Sequence, residues 1–184
     1  STYIKDLGNY VTLTSAESLA ANQNLHGVKG NLGLIFDGYN YSLDNIRLSN
    51  SNLIDTVNVK GDSNPINIKR IRFTNIALQE TNGIINSVNS SNVTISSLKF
   101  TALSETDDKA TICITPYKTG SQDSNKSIGI LVGDNAGKIT NCNLSSFIYT
   151  PGNATIGYKL GGLVGRNTGI IKDCSVSSTV AINE

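Results

Sequence analysis

Residues suited to acid–base chemistry are few in this sequence of 184 residues. The one histidine, His26, precedes Gly27, and two carboxylates are adjacent at Asp107-Asp108. Some polysaccharide hydrolases combine a His-Gly pair with paired carboxylates, which act as acid and base, and with an Arg-x-Lys element. No Arg-x-Lys follows here, and a lone histidine would have to reach a distant nucleophile. The sequence therefore predicts no catalytic residues, and we expect the protein not to be an enzyme.

Ligands for a metal ion are equally scarce. The three cysteines stand far apart at Cys113, Cys142 and Cys174, whereas a zinc site needs clustered cysteine and histidine. The carboxylates at 107, 108 and 123 do not have the spacing of a calcium-binding loop. We expect no metal and no other cofactor.

Composition predicts an all-β chain. Only 38% of the residues are hydrophobic and 16% are charged, with a formal net charge of +1. No basic stripe is present to neutralise phosphates, and no apolar run reaches the roughly 18 residues of a bilayer-spanning helix, so we expect neither nucleic-acid binding nor membrane insertion. Abundant Asn, Ser, Thr and Gly disfavour helices, whereas Ile and Val suit strands joined by tight turns. Because the sequence begins at Ser1 and lacks Met, we expect a processed protein or a fragment.

The clearest pattern in the sequence is an internal repeat. Residues 130–146 match residues 162–178 without a gap, at a spacing of 32 (162 − 130). Cys142 falls on Cys174, and the glycines at 133 and 137 fall on those at 165 and 169. Such repeats indicate stacked supersecondary units rather than an ordinary globular core.

A weaker form of this unit recurs upstream as apolar-x-x-apolar-x-apolar followed by Ser or Thr. Its copies begin at Leu43, Ile68, Ile95, Ile139 and Ile171, with separations of 25, 27, 44 and 32 (68 − 43, 95 − 68, 139 − 95, 171 − 139). The last two apolar positions face one side of a strand, and a bend must follow the first. Asn45, Asn141 and Asp173 stand where a bend residue is needed. The pattern predicts the coils of a parallel β-solenoid, with an antiparallel sandwich as the alternative.

The solenoid interpretation predicts which side chains form the inner ladder. These are Ile68, Ile71, Phe73, Ile95, Leu98, Phe100, Ile139, Leu144, Ile171 and Val176. Cys142 and Cys174 would stack in the same way, with α-carbons about 4.8 Å apart. That distance permits a disulfide, but residues stacked in register rarely meet its torsions, so we favour two free thiols.

The downstream repeat resembles a known family. Gly162-Leu-Val-Gly165, followed by residues 167–171 and Cys174-Ser-Val176, resembles the GLUG repeat, named for Gly-Leu-hydrophobic-Gly. Residues 130–146 are similar, with Ile130 in place of the first glycine. The upstream copies, Gly83-Ile-Ile85 and Leu53-Ile54, lack the second glycine. Residues 35–46 are similar to the F-D-G segment that commonly opens such arrays, and residues 15–21 to the short helix that often precedes it.

This resemblance implies both a fold and a setting. It implies a parallel β-helix of degenerate coils of 25–32 residues over residues 33–184, behind an N-terminal cap at 1–32 with a short helix from about Ala16 to Asn22. GLUG repeats occur in large bacterial surface and secreted proteins, including adhesins and the non-catalytic regions of immunoglobulin A proteases. We therefore expect an extracellular or cell-surface adhesive segment that binds a host or bacterial surface protein or glycan. A carbohydrate-active β-helix enzyme (a polysaccharide lyase or hydrolase) and a pure spacer are the alternatives.

Two segments interrupt the coil spacing and are expected to project from it. One lies at about 102–127, with a strand over 111–115, and the other at about 147–159, with a turn at Pro151-Gly152-Asn153. Projecting loops are where binding residues usually lie. Tyr117, Tyr149 and Tyr158 are therefore the predicted ligand-binding residues, unless their rings pack against the coils instead.

Overall fold

Strands form all the regular structure that is described. A computed structural model of the chain describes residues 11–13, 17–21, 35–44, 46–49, 52–59, 65–74, 76–79, 81–101, 112–115, 126–150 and 159–182. The 21 strands in these ranges all pair in parallel, and no helix occurs among them. These residues thus hold no helix long and apolar enough to cross a membrane. The described part of the chain is therefore all-β and β-helix-like, and the antiparallel sandwich is wrong for it.

The strands are short and follow one another closely along the chain. They are β1 (Val11–Leu13), β2 (Glu17–Ala21), β3 (Ile35–Asp37), β4 (Ser42–Asp44), β5 (Ile46–Ser49), β6 (Ile54–Val59), β7 (Ile66–Lys69), β8 (Arg72–Thr74), β9 (Ile76–Gln79), β10 (Ile85–Val88), β11 (Val93–Ser96), β12 (Lys99–Thr101), β13 (Ile112–Thr115), β14 (Ser127–Gly129), β15 (Val132–Asn135), β16 (Lys138–Thr140), β17 (Asn143–Thr150), β18 (Lys159–Gly161), β19 (Val164–Asn167), β20 (Ile170–Lys172) and β21 (Ser175–Ile182).

Three larger sheets are built from successive circuits of the chain, which contribute one strand each to the first two sheets and up to two strands each to the third. The first has the order β19-β15-β10-β6-β2 and the second β20-β16-β11-β7-β3. In the third, β4-β8-β12 and β1-β5-β9-β13 both lead to β17, which also pairs with β21. A fourth, two-stranded sheet of β14 and β18 lies against the first. Each strand inside the stack therefore pairs with the equivalent strands of the circuits before and after it, and the strands at its two ends pair on one side only among the described residues.

Alternation of apolar and polar residues explains why these segments are strands. In β7 the two isoleucines are buried and the residues after each are only partly so, and β11 repeats this with Val93 and Ile95. Such a period of two places every second side chain on one face of a pleated strand. Because the pairing is parallel and in register, the inward side chains of neighbouring strands stack into continuous columns.

Two downstream segments keep one register throughout. We call residues 127–150 repeat A and residues 159–182 repeat B. Ser127 pairs with Lys159 at one extreme and Thr150 with Ile182 at the other, so the offset is 32 at both (159 − 127, 182 − 150). The intervening pairs, β15 with β19 and β16 with β20, have the same offset. The repeat predicted from sequence is confirmed.

The apolar columns form the core. Ile68 pairs with Ile95, Ile95 with Ile139, and Ile139 with Ile171, as the ladder predicted. Eight of the ten predicted ladder residues are at most 4% exposed: Ile68, Ile71, Phe73, Ile95, Leu98, Phe100, Ile139 and Leu144. The other two, Ile171 and Val176, are 41% and 42% exposed, because no described strand covers repeat B on its far side.

Each circuit turns one corner at a residue with left-handed backbone. These residues are Arg70, Ser97, Asn141 and Asp173, with φ of 55°, 58°, 54° and 55°. The amide of Ser97 donates to Thr140 O at 3.1 Å, and that of Asn141 to Lys172 O at 3.2 Å, so the corners stack on one another. The predicted bends at Asn141 and Asp173 are confirmed, while Asn45 lies outside the described residues.

The predicted register is wrong for the first copy of the apolar-x-x-apolar-x-apolar pattern, which begins at Leu43. That copy belongs one strand further along the circuit than the copy at Ile68. Leu43 pairs with Phe73, and Phe36 takes the place in register with Ile68. The reason is that the same spacing occurs at two successive corners. Phe73 begins an apolar-x-x-apolar-x-apolar run of its own, so the pattern by itself does not say which corner is which.

The helix expected from about Ala16 to Asn22 is wrong. Glu17–Ala21 is strand β2, paired with β6, with a register shift between Glu17 and Leu19. A helix of this length is marginal in water, whereas a strand satisfies its backbone hydrogen bonds on its neighbour. Of the remaining residues of the predicted cap, Val11–Leu13 form β1 and the others lie outside the described residues.

The two predicted insertions contribute strands to the third sheet. Ile112–Thr115, expected as a strand, is β13 and lies between β9 and β17. Phe147–Thr150, expected to leave the coil, is the second half of β17 and pairs with Thr179–Ile182 of β21. Residues 102–111, 116–125 and 151–158 lie outside the described part of the chain.

Candidate binding surface

The predicted binding tyrosines are placed only in part. Tyr117 and Tyr158 lie outside the described residues, and Tyr149 belongs to β17, where its backbone pairs with Ala181. The structure thus does not bring the three together in any site that can be described. Their role in binding stays a prediction.

Another set of aromatic side chains is exposed at the opposite end of the stack from repeat B. Phe36, Tyr39 and Tyr41 are 45%, 67% and 79% exposed. They lie in residues 36–41, which comprise the end of β3 and the connection to β4 and which we call the aromatic turn. Its position follows from the sequence, since Asp37-Gly38 ends β3 and residues of this type favour a turn.

The backbone of the aromatic turn is tight and left-handed. Tyr39 and Asn40 have φ of 50° and 63°, and the amide of Tyr41 donates to Gly38 O at 2.8 Å. Positive φ at both central residues is typical of a type I′ turn, which suits asparagine but is unfavourable for tyrosine. The neighbouring circuit supports the strained residues, since the Gly38 amide donates to Lys69 O at 2.9 Å and that of Asn40 to Arg70 O at 2.7 Å.

A charged network fixes the base of the turn. Arg70 Nε donates to Asp37 Oδ1 at 2.7 Å, and Arg70 Nη2 contacts the other carboxylate oxygen. The Tyr39 amide also donates to Oδ1, at 3.0 Å, and Lys69 Nζ lies 3.5 Å from Oδ2. The hydrogen bond from Arg70 holds the pKa of Asp37 well below its usual range, against a smaller opposing effect of burial, while Asp37 raises the pKa of Arg70.

This network determines what the turn can do chemically. With its pKa held low and its oxygens engaged, Asp37 stays ionised at neutral pH and has no proton to donate as a general acid. The Arg70 guanidinium lies 4.7 Å from the centroid of the Tyr39 ring, in cation–π contact. Arg70 therefore orients the ring while most of it faces solvent. The arrangement suits binding by an immobilised aromatic ring rather than catalysis.

Sequence reasoning missed this surface. The F-D-G segment resembles the family's opening segment, but that resemblance does not single out its tyrosines. A usable signal was present, because a tyrosine directly after Asp-Gly falls at the tip of the turn, where little of it can be buried.

Most of the residues considered for chemistry lie outside the part of the chain that the structure describes. His26, Asp107, Asp108 and Asp123 lie outside the described residues, and Cys113 is described only as a backbone position between Ala77 and Phe147. Within the described ranges, no three His, Cys, Asp or Glu side chains are grouped to hold a metal ion.

Cys142 and Cys174 stack in register as two free thiols, as the sequence favoured. Cys142 is buried, and its Sγ lies 3.4 Å from Thr140 O. Burial, the largest cause, raises the pKa of Cys142 to about 12. The thiolate is therefore strongly disfavoured at this position, and Cys142 is not suited to act as a nucleophile.

Glycines let β14 lie directly against the first sheet. A Cβ added to Gly133 would lie 2.6 Å from Asn86 O and 2.9 Å from Ser127 O, and one added to Gly165 would lie 2.6 Å from the carbonyl carbon of Ser127. All three distances are too short for a side chain. The position of Gly162 is taken by Ile130 in repeat A, where it is fully buried, so that position does not require glycine.

The family comparison agrees with this geometry. Residues 157–181 match the family model described as the GLUG motif. The matched range covers almost all of repeat B, including the close contacts made at Gly161 and Gly165. Neither the curated proteins nor the solved structures gave a significant match to the chain. The resemblance seen in the sequence is thus confirmed for this segment, and the chain carries a GLUG motif at residues 157–181.

Proposed function

We propose that this chain is a segment of a parallel β-solenoid, and that it serves as a rigid structural and adhesive element of an extracellular or cell-surface bacterial protein. The observation that carries the proposal is the stacking of equivalent strands in register, which is unbroken between repeats A and B. Each circuit of a solenoid is held to the next by backbone hydrogen bonds and a shared apolar core. A stiff rod of this kind suits the presentation of a contact surface away from its support.

The aromatic turn supports the adhesive part of the proposal. Tyr39 and Tyr41 are the most exposed large apolar side chains described, and Arg70 holds the first of them in place. A rigid tyrosine supplies contact area at low cost in conformational entropy, and such residues recur among binding hot spots. The proposed partner is a protein or glycan of a host or bacterial cell surface, and Tyr117, Tyr149 and Tyr158 remain candidates for further contacts with it.

Attachment of the purified chain to cells and to a glycan array tests this function. Replacing Tyr39 and Tyr41 together with alanine should weaken attachment by at least about tenfold, the effect of losing a hot-spot residue. Tyr39→Phe, which keeps the ring, should retain most of it. Ile170→Ala, at an exposed residue of repeat B, is the matched control and should change nothing.

Two results would contradict the proposal. One is full attachment by the double variant and by a chain that also carries Tyr149→Ala and Tyr158→Ala and has Gly-Ser links in place of residues 107–111 and 116–124. That result would leave the segment as a spacer only. Depolymerisation of a bound polysaccharide, measured as release of new chain ends, would favour an enzyme instead.

A further inference from the structure

Repeat B presents a free edge along all four of its strands. Within the described residues, β18, β19, β20 and β21 pair on one side only, with β14, β15, β16 and β17. A parallel strand uses alternate backbone groups on its two edges. The far edges of repeat B therefore leave a row of N–H and C=O groups without strand partners among these residues. Proteins normally protect or cover such edges.

The apolar columns of the core also end at this edge, with their last side chains partly exposed to solvent. Ile139 and Leu144 of repeat A are 0% and 3% exposed, but their partners Ile171 and Val176 are 41% and 42% exposed. Cys174 is likewise less buried than Cys142. A covering element must supply apolar side chains at these positions, at the spacing that repeat B itself shows towards repeat A.

An asparagine ladder gives the edge a direction. Asn135 Nδ2 donates both to Gly137 O, at 3.2 Å, and to Asn167 Oδ1, at 2.7 Å. Asn167 Nδ2 donates to Gly169 O at 3.0 Å, in the same way as Asn135 within its own repeat. To continue the ladder, Asn167 Nδ2 would need a second acceptor, in the position that Asn167 Oδ1 occupies relative to Asn135. Another asparagine in the same register meets this requirement.

We propose that the far edge of repeat B is a docking face for a further coil of the GLUG type, in parallel register with residues 159–182. The inference rests on the proposed solenoid. The face continues the interface between repeats A and B, and that interface specifies its occupant: four short strands, apolar residues opposite Ile171 and Val176, and an asparagine opposite Asn167.

An extended chain tests the proposal. A copy of residues 151–182 is inserted after Ile182, which keeps the spacing of 32 (182 − 150), and its cysteine is replaced by alanine. Modification of Cys174 by a thiol reagent, followed by peptide mass spectrometry, should slow by at least about tenfold, because modification would then require local opening. Amide exchange in β19 and β20 should slow in parallel.

Two control copies and one measurement on the original chain make the result decisive. A copy with aspartate at the positions equivalent to Ile171 and Val176, and a copy of scrambled sequence, should leave Cys174 as reactive as in the original chain. Unchanged reactivity in the extended chain, with repeat A still protected from exchange, would overturn the proposal, as would equal slowing by the scrambled copy. Sedimentation of the original chain as a dimer with Cys174 protected would also overturn it, in favour of a second copy as occupant. The attachment assay is scored separately, so failure of the docking face does not count against adhesion.

Discussion

Replacing two isoleucines of one apolar column with alanine, one in repeat A and one in repeat B, tests the packing of the core directly. Ile139 and Ile171 occupy equivalent positions of repeats A and B and pair with each other, but Ile139 is fully buried whereas Ile171 is 41% exposed. Replacement by alanine removes three carbons, worth about 2.4 kcal/mol at about 0.8 kcal/mol each. At Ile139 a cavity term raises the loss to about 3–4 kcal/mol, within the range seen for buried isoleucine. At Ile171, scaling by the buried fraction and leaving no closed cavity gives about 1.4 kcal/mol.

Urea unfolding followed by the far-ultraviolet strand signal measures both changes, since the chain has no tryptophan to report them. The slope of the transition should stay constant, because a change in slope would mean that the unfolded or native state had changed its compactness. Equal losses at the two positions would refute the burial difference. A loss under about 1 kcal/mol at Ile139 would refute the assignment of this column to the core.

Three further outcomes are expected. Asn141→Ala should lower the free energy of unfolding by about 1 kcal/mol, because a left-handed residue with a Cβ is disfavoured, whereas Asn141→Gly should be nearly neutral by the same urea assay. Because the pKa of Cys142 is raised in the folded state, stability should be complete below the ordinary thiol pKa of about 8.5 and should fall as pH rises towards about 12, by roughly 1.4 kcal/mol per unit at most. The variant Cys142→Ala should lose less between pH 8 and pH 10, and identical pH profiles would contradict this account. Replacing residues 107–111 and 116–124 with short Gly-Ser links, which keeps Ile112–Thr115 in place, should leave the far-ultraviolet spectrum unchanged, because the replaced residues connect strands whose register is set by their neighbours.

The register between repeats A and B was predictable because identical residues recur at equivalent positions of the two repeats. Cys142 and Cys174 mark one column, and the surrounding glycines and isoleucines leave no alternative alignment at a spacing of 32. Burial of the ladder followed from that alignment. Upstream, where no such marker exists, the apolar spacing at Leu43 fits two corners equally well, so the predicted register is wrong there.

Backbone conformation was predictable only where the residue type favours it. Asn141 and Asp173 tolerate left-handed backbone, so their bends were expected. Arg70 and Ser97 adopt the same conformation at the equivalent corner without any local preference for it, because stacking on neighbouring circuits imposes the bend. The strand at Glu17–Ala21 has the same origin, since pairing with β6 outweighs a weak helical preference in a short segment.

The aromatic turn was hidden for a different reason. Its exposure depends on where the stack of strands begins, and its order depends on the pairing of Asp37 with Arg70, which are 33 residues apart in the sequence. No local pattern contains that contact. The sequence identified Asp-Gly as a turn, but only the register between β3 and β7 places Arg70 beside Tyr39.

The hydrogen bonds between repeats have a mechanical consequence. They run from each circuit to the next, so a force that separates the two ends of the stack opens them one repeat at a time rather than all together. Peeling repeat B from repeat A frees a period of 32 residues, which adds roughly 105 Å of contour length at about 3.3 Å per residue. Under tension the chain would therefore lengthen in discrete steps, each dissipating energy before the next circuit opens.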